Sequence, residues 1–206
     1  MKPRVVAAAF LLTSGAAVGQ ERASAANPAA ASPAKPTAGK LAPRVERYQL
    51  ANGLKAVLAP DDRAVDVAVA VEYAAGSAHA PHAVKGLPHL VEHLAFYGTR
   101  HLKPFEATEI LDELGAGYNA FVASERTVYF ASLPTEALAT GLWLESERMA
   151  FALDGVDAAA LENETKDIAN ELAEREHSLA VSLSKFQRRA LYGASHPCGF
   201  QPIVDT

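Results

Sequence analysis

From Val65 to Tyr73, large apolar side chains stand at every second position, with Asp66, Ala68, Ala70 and Glu72 between them. A period of two places one set on a single face and predicts a half-buried β-strand over 65–73. Residues 45–50 alternate as well, and residues 54–59 read as the returning strand. Between them Asn52-Gly53 predicts a two-residue type I′ hairpin turn, which needs positive φ at both central positions. Residues 118–124 and 127–133 alternate and predict two more antiparallel strands.

The intervening segments carry helical signals. Residues 87–97 form one predicted helix, with Pro88 in the first turn, where a missing N–H costs nothing, and Gly98 after its end. A second helix spans 105–114 and stops at Gly115. A third spans 135–151, with Thr135 as its expected cap, and a last helical stretch runs from about Asp157 towards Tyr192. In that stretch Leu161, Thr165, Ile168 and Leu172 form the expected buried stripe. At about 100° per residue, Glu164 and Glu171 then fall on one border of it, two turns apart. Strands and helices occur without a regular βαβ repeat, so the class is α+β, a mainly antiparallel sheet packed with helices.

The first 43 residues differ in character. Lys2 and Arg4 precede an apolar run, VVAAAFLL, and small residues follow, Ala23-Ser24-Ala25 among them. This pattern predicts a signal peptide over 1–25 and an exported chain, periplasmic or secreted, with no stable membrane span. Residues 26–43 are rich in Ala, Pro, Ser and Lys and read as an exposed linker. The expected folded part is therefore 44–206. The net charge of −5 gives no reason to expect nucleic acid as a partner, and Cys198 is the only cysteine, which excludes an internal disulfide and a thiolate metal site.

Chemistry enters at residues 89–93, HLVEH. Positions i and i+4 share a helix face, so His89 and His93 can offer imidazole nitrogens to one metal ion. Glu92 stands about 100° round from His93, beside that ion, which suits a general base acting on water. A zinc site of this kind needs a third protein ligand and an open position. Glu171 and Glu164 are the carboxylates of the last helix that look inward, and both are candidates. His79, His82, His101 and His177 read as loop or surface histidines.

The stretch 86–99, GLPHLVEHLAFYGT, resembles a block shared by the inverzincin zinc metallopeptidases, which include pitrilysin, insulin-degrading enzyme and the mitochondrial processing peptidase. Residues 114–133, LGAGYNAFVASERTVYFASL, resemble the second block of that family. Residues 164–171, ETKDIANE, resemble its E-R-x-x-V-x-x-E helix, and His196-Pro197-Cys198-Gly199 its H-P-Y-G stretch. The resemblance implies one half of the two-domain pitrilysin-like fold, a zinc cofactor held by His89, His93 and Glu171, and Glu92 as general base. It implies that Glu164 supports the ligands from behind, that Asn119, Ala120 and Phe121 lie on the substrate strand, and that His196 is structural.

The function implied is a metalloendopeptidase acting on extended peptides or unfolded protein. The alternative is a non-catalytic peptide-binding subunit, or an inactive fragment, of the same fold. A second pitrilysin-like half or subunit is the implied partner. The spacing from His93 to the third ligand is about one residue longer than the family's. Strict counting would land on Asn170, which points away from the stripe. Val122 and Thr165 replace a usual threonine and arginine.

Overall fold

A computed structural model of the chain describes residues 6–12, 44–81, 84, 86–176, 178–193 and 196. His82, His177, the linker and residues 197–206 lie outside them. Six strands form one sheet: β1 (Val6–Leu12), β2 (Glu46–Gln49), β3 (Lys55–Pro60), β4 (Asp66–Tyr73), β5 (Gly117–Val122) and β6 (Thr127–Pro134), in the order β2-β3-β1-β4-β6-β5. Every neighbouring pair is antiparallel except β1 with β4. Five helices accompany it: α1 (Leu87–Tyr97), α2 (Glu106–Glu113), α3 (Leu138–Phe151), α4 (Ala158–Glu176) and α5 (Leu179–Tyr192). The α+β class and the mainly antiparallel sheet are as the sequence predicts.

Period-two patterning decides which face is covered. Val67, Val69 and Val71 of β4 are buried, as are Thr127, Tyr129, Ala131 and Leu133 of β6. Val67, Val69, Ala131 and Leu133 meet Leu102, Leu111 and Leu144 in one core cluster. Ala95 of α1 meets Ala120 and Tyr129 in a second. Phe130 and Ser132, on the opposite face of β6, are exposed.

Ahead of Arg44 the described residues are those of β1. The apolar run read as a leader lies between β3 and β4, antiparallel to one and parallel to the other. A short apolar run free of Gly and Pro satisfies the requirements of a central strand as well as those of a leader, so its composition does not separate them.

Three local expectations also change. The β2–β3 turn is not type I′. Gly53 alone takes positive φ (88°), the Gly53 N–H donates to the Leu50 carbonyl, and the Leu50 N–H to the Leu54 carbonyl. That is the longer hairpin loop whose last residue is a left-handed glycine, and Asn52 supports it by accepting the Leu54 N–H through Oδ1 at 3.1 Å. Thr135 does not cap α3: residues 135–137 make a 3₁₀ turn, and the Thr135 hydroxyl donates to Glu136. The last helical stretch is two helices. Ser178, with extended backbone, separates α4 from α5, as suits a residue whose side chain competes for backbone partners.

The buried line of α4 is also rotated from expectation. Ala160, Glu164 and Ile168 are buried, whereas Leu161 and Thr165 are exposed. Glu164 therefore sits in the contact with α1 rather than at its border, because α4 packs against α1, whose inner face is polar.

One close approach fixes the loop ahead of α1. A Cβ on Gly76 would lie 2.3 Å from the Ala123 carbonyl oxygen and 2.6 Å from the Arg126 nitrogen, both backbone atoms of the β5–β6 turn. The Ser77 and Ala78 N–H groups donate to the carbonyls of Ala123 and Ser124 there. Replacing Gly76 by Ala forces the two segments apart and is expected to cost about 1–3 kcal/mol. Urea unfolding of the G76A variant checks this, and an unchanged midpoint would refute it.

Candidate metal centre

Helix α1 follows directly from its sequence. Pro88 sits in the first turn, where its fixed φ suits a helix start, and the buried positions are His89, Glu92, Leu94 and Ala95. The helix thus turns a polar face inward. That face meets α4, which presents carboxylates at the matching height. Burial of His89 (3% exposed) and Glu92 (8%) is tolerable only if their polar atoms find partners.

The partners converge on one point. His89 Nε2 and His93 Nε2 each lie 3.5 Å from the same oxygen of Glu171, Oε2. The two imidazole rings stand nearly perpendicular, with centroids 4.5 Å apart. Ligand atoms of His89, His93 and Glu171 all fall within 4.8 Å of one another. Ligands bonded at roughly 2.0–2.2 Å to a tetrahedral ion stand about 3.3–3.5 Å apart, so this set fits one with little movement. Asn170, the strict-count alternative, is exposed.

Glu164 stands beside His93. Its Oε2 lies 3.1 Å from His93 Nδ1. Accepting the Nδ1 proton fixes the tautomer, so that Nε2 keeps its lone pair towards the centre.

Electrostatics prepare the same groups. Burial first, and then the nearby His93 and Arg175, pull the His89 pKa down to about 4. His89 is therefore neutral near pH 7, the form that ligates a metal. Burial pushes the Glu92 carboxyl up to about 6; His93 and Arg175 oppose this, and Glu171 adds to it. Glu92 Oε2 is buried with no hydrogen-bond partner among the described residues, and so is His89 Nδ1. A buried carboxylate oxygen left unpartnered beside three converging ligands is suited to receiving a proton.

Asn119, Ala120 and Phe121 lie on β5, the outermost strand of the sheet, beside α1. Asn119 is exposed, and its Oδ1 accepts the Ala120 N–H at 2.8 Å. The other histidines among the described residues stay apart from the metal group. His79 Nδ1 accepts the Gly76 N–H, His101 pairs with Glu147, and the exposed His196 ring stacks on Tyr192.

Two arginines absent from the sequence reading support the site. Arg148 on α3 is buried, pairs with Glu145, and stacks its guanidinium over the Phe96 and Tyr129 rings. Its Nε points at the Ala95 carbonyl near the end of α1, at 3.4 Å. Arg175 on α4 holds Glu171 through Nη2–Oε1 at 2.5 Å. The second was detectable in principle, since it stands one turn beyond Glu171 on the same helix.

Comparison with known proteins agrees with this geometry. Residues 55–193 match the family described as Insulinase (Peptidase family M16). An uncharacterized zinc protease of Bacillus subtilis is 28% identical over 162 residues, covering 79% of this chain and 39% of that protein. One of Mycobacterium tuberculosis is 32% identical over 174 residues, covering 84% and 38%. The chain thus spans about two fifths of the length of these relatives. The crystal structure of a protease from Helicobacter pylori superposes with a TM-score of 0.71 at 27% identity, covering 80% of this chain and 39% of that one. The chain belongs to the M16 (insulinase) peptidase family.

Proposed function

We propose that the chain is the zinc-binding catalytic part of a metallopeptidase that hydrolyses extended peptides. The observation that carries this is the convergence of His89, His93 and Glu171 on one point, with Glu92, whose buried Oε2 has no hydrogen-bond partner among the described residues, beside it. Two imidazoles and one carboxylate suit zinc, and the printed names of the bacterial relatives point the same way. When bound, the ion supplies Lewis acidity at the scissile carbonyl and acidifies water.

The chain's own residues do the rest. His89 and His93 present Nε2, Glu171 presents Oε2, and Glu164 keeps His93 in the required tautomer. Glu92 takes the proton of the attacking water and returns it to the leaving amine. The free edge of β5 at Asn119, Ala120 and Phe121 can take an extended peptide as an added strand, which reads backbone more than side chains.

A second reading has one observation in its favour. Helix α5 exposes Leu179 (84%) and Phe186 (70%), with Leu183 and Leu191 also exposed. An apolar face of that kind suits a covering partner. In this reading the chain binds peptide and zinc but turns over only beside a second half or subunit. Export to the periplasm or beyond is our further reading of the basic head, the apolar run and the small residues after it. Cleavage near residue 25 would remove β1, and β3 and β4 would then no longer be joined through it. N-terminal sequencing of the mature protein decides the point: a start near residue 26 supports export, and a retained Met1 or Lys2 opposes it.

The metal content of the full chain beside its His89→Ala variant tests the centre. About one zinc per chain is expected in the parent, and none in the variant. Glu164→Ala is expected to weaken zinc about 10–100-fold, read by competition with a chromophoric chelator. Glu92→Gln should keep zinc and lose about 10²–10⁴-fold in peptide cleavage, a contribution typical of a general base. Turnover of that variant at the parent's rate would sink the assignment. Zinc binding by a parent that cleaves only when a second half is added selects the second reading.

A further inference from the structure

Glu171 offers two oxygens, and the structure treats them differently. Oε2 faces both histidine Nε2 atoms at 3.5 Å. Oε1 is held by Arg175 Nη2 at 2.5 Å. Both residues are on α4, one turn apart, so the pair is set by the helix itself and does not depend on a loop. Arg175 is only partly exposed, and its Nη1 is buried without a hydrogen-bond partner among the described residues.

A glutamate can give a metal ion one oxygen or two. Which it gives decides whether a position stays open for water, since a catalytic zinc site has three protein ligands and one vacancy. Glu171 is partly exposed, so burial alone does not fix its orientation. We infer that Arg175 is a positioning residue that occupies Oε1 and so makes Glu171 a one-oxygen ligand, keeping the fourth position open. Chelation by both oxygens would draw Oε1 away from Arg175 and take from its guanidinium the partner it has on Nη2, beside an Nη1 that already has none among the described residues. Nothing in the ligand pattern itself asks for an arginine here. The ammonium of a lysine could hold Oε1 as a point charge but lacks the planar fork that sets its direction.

This inference rests on His89, His93 and Glu171 being the ligands, and the experiment separates the two. The full chain and its His89→Ala, Arg175→Met and Arg175→Lys variants are loaded with cobalt(II), whose visible absorption is strong in four-coordinate sites and weak in sites of higher coordination. Zinc affinity is measured in parallel by chelator competition. The parent should absorb strongly and His89→Ala should lose the band. Arg175→Met should bind zinc about 10-fold or more weakly, as expected on losing a partner that orients a ligand. Its cobalt band should weaken and shift, and Arg175→Lys should restore part of both. A role confined to helix stability would lower the melting temperature of Arg175→Met yet leave the band of the loaded protein unchanged, and that result overturns the inference while leaving the metal centre intact. A parent that takes up no cobalt and no zinc overturns both.

Discussion

The contact between α1 and α4 is the constraint on which the site depends. His89 and His93 need only a helix to share a face, but Glu171 belongs to a different element, far along the chain. A shift of α4 by one residue would bring Asn170 or Leu172 to the histidines, and neither can replace the carboxylate. The His93–Glu164 hydrogen bond is therefore more than a tautomer lock. It joins the two helices one α4 turn-pair before Glu171 and sets their register. Glu164 pays for its burial in that contact, since a carboxylate left there without a partner would be strongly destabilising.

Behind α1 the fold is held by charge as much as by apolar packing. Glu147 accepts the Thr99 hydroxyl at 2.8 Å and pairs with His101, tying α3 to the segment that follows α1. The Thr99 hydroxyl oxygen in turn accepts the His101 and Leu102 N–H groups. Arg148 reaches the end of α1 from the same helix, between two aromatic rings. These contacts anchor one end of α1, and Pro88 and the loop around Gly76 constrain the other. The histidines lie between two fixed ends, which is what metal ligands require: precision within a fraction of an ångström is best supplied by regular elements.

The sequence made legible what depends on period and on short-range spacing. Val67, Val69 and Val71 announced β4, Pro88 and Gly98 bracketed α1, and HLVEH named two ligands and a base. Glu171 needs a second argument, because the stripe leaves Glu164 equally placed, and the structure separates them by the nitrogens they face: Glu171 Oε2 faces both Nε2 atoms, Glu164 Oε2 only His93 Nδ1. The stripe itself was misplaced. An apolar count favours Leu161 and Leu172, but α4 packs against an inner face that carries His89, Glu92 and His93, so its most buried line runs through Glu164. Patterns of hydrophobicity do not show a polar interface. For the same reason Arg148 and Arg175 stayed hidden: a buried arginine has the letter of a surface one. At β1 the ambiguity was of another kind, since a leader and a central strand ask the same of a short apolar run.

The distribution of unmet polar atoms carries the last step of the reasoning. Among the described residues five side-chain atoms are buried and without hydrogen bonds; His89 Nδ1, Glu92 Oε2 and Arg175 Nη1 belong to residues around one point, and Tyr73 Oη and Glu145 Oε2 do not. Each would ordinarily cost about 1–3 kcal/mol. A fold indifferent to that point would relieve at least one of them by a rotamer change, or would hold apolar residues there. Their persistence together is what a site looks like when its geometry is set for something that is to be bound. Glu92, with an uncommitted oxygen beside the point that His89 Nε2, His93 Nε2 and Glu171 Oε2 share, is placed to exchange a proton there, whereas His89 Nδ1 is not the nitrogen that faces Glu171.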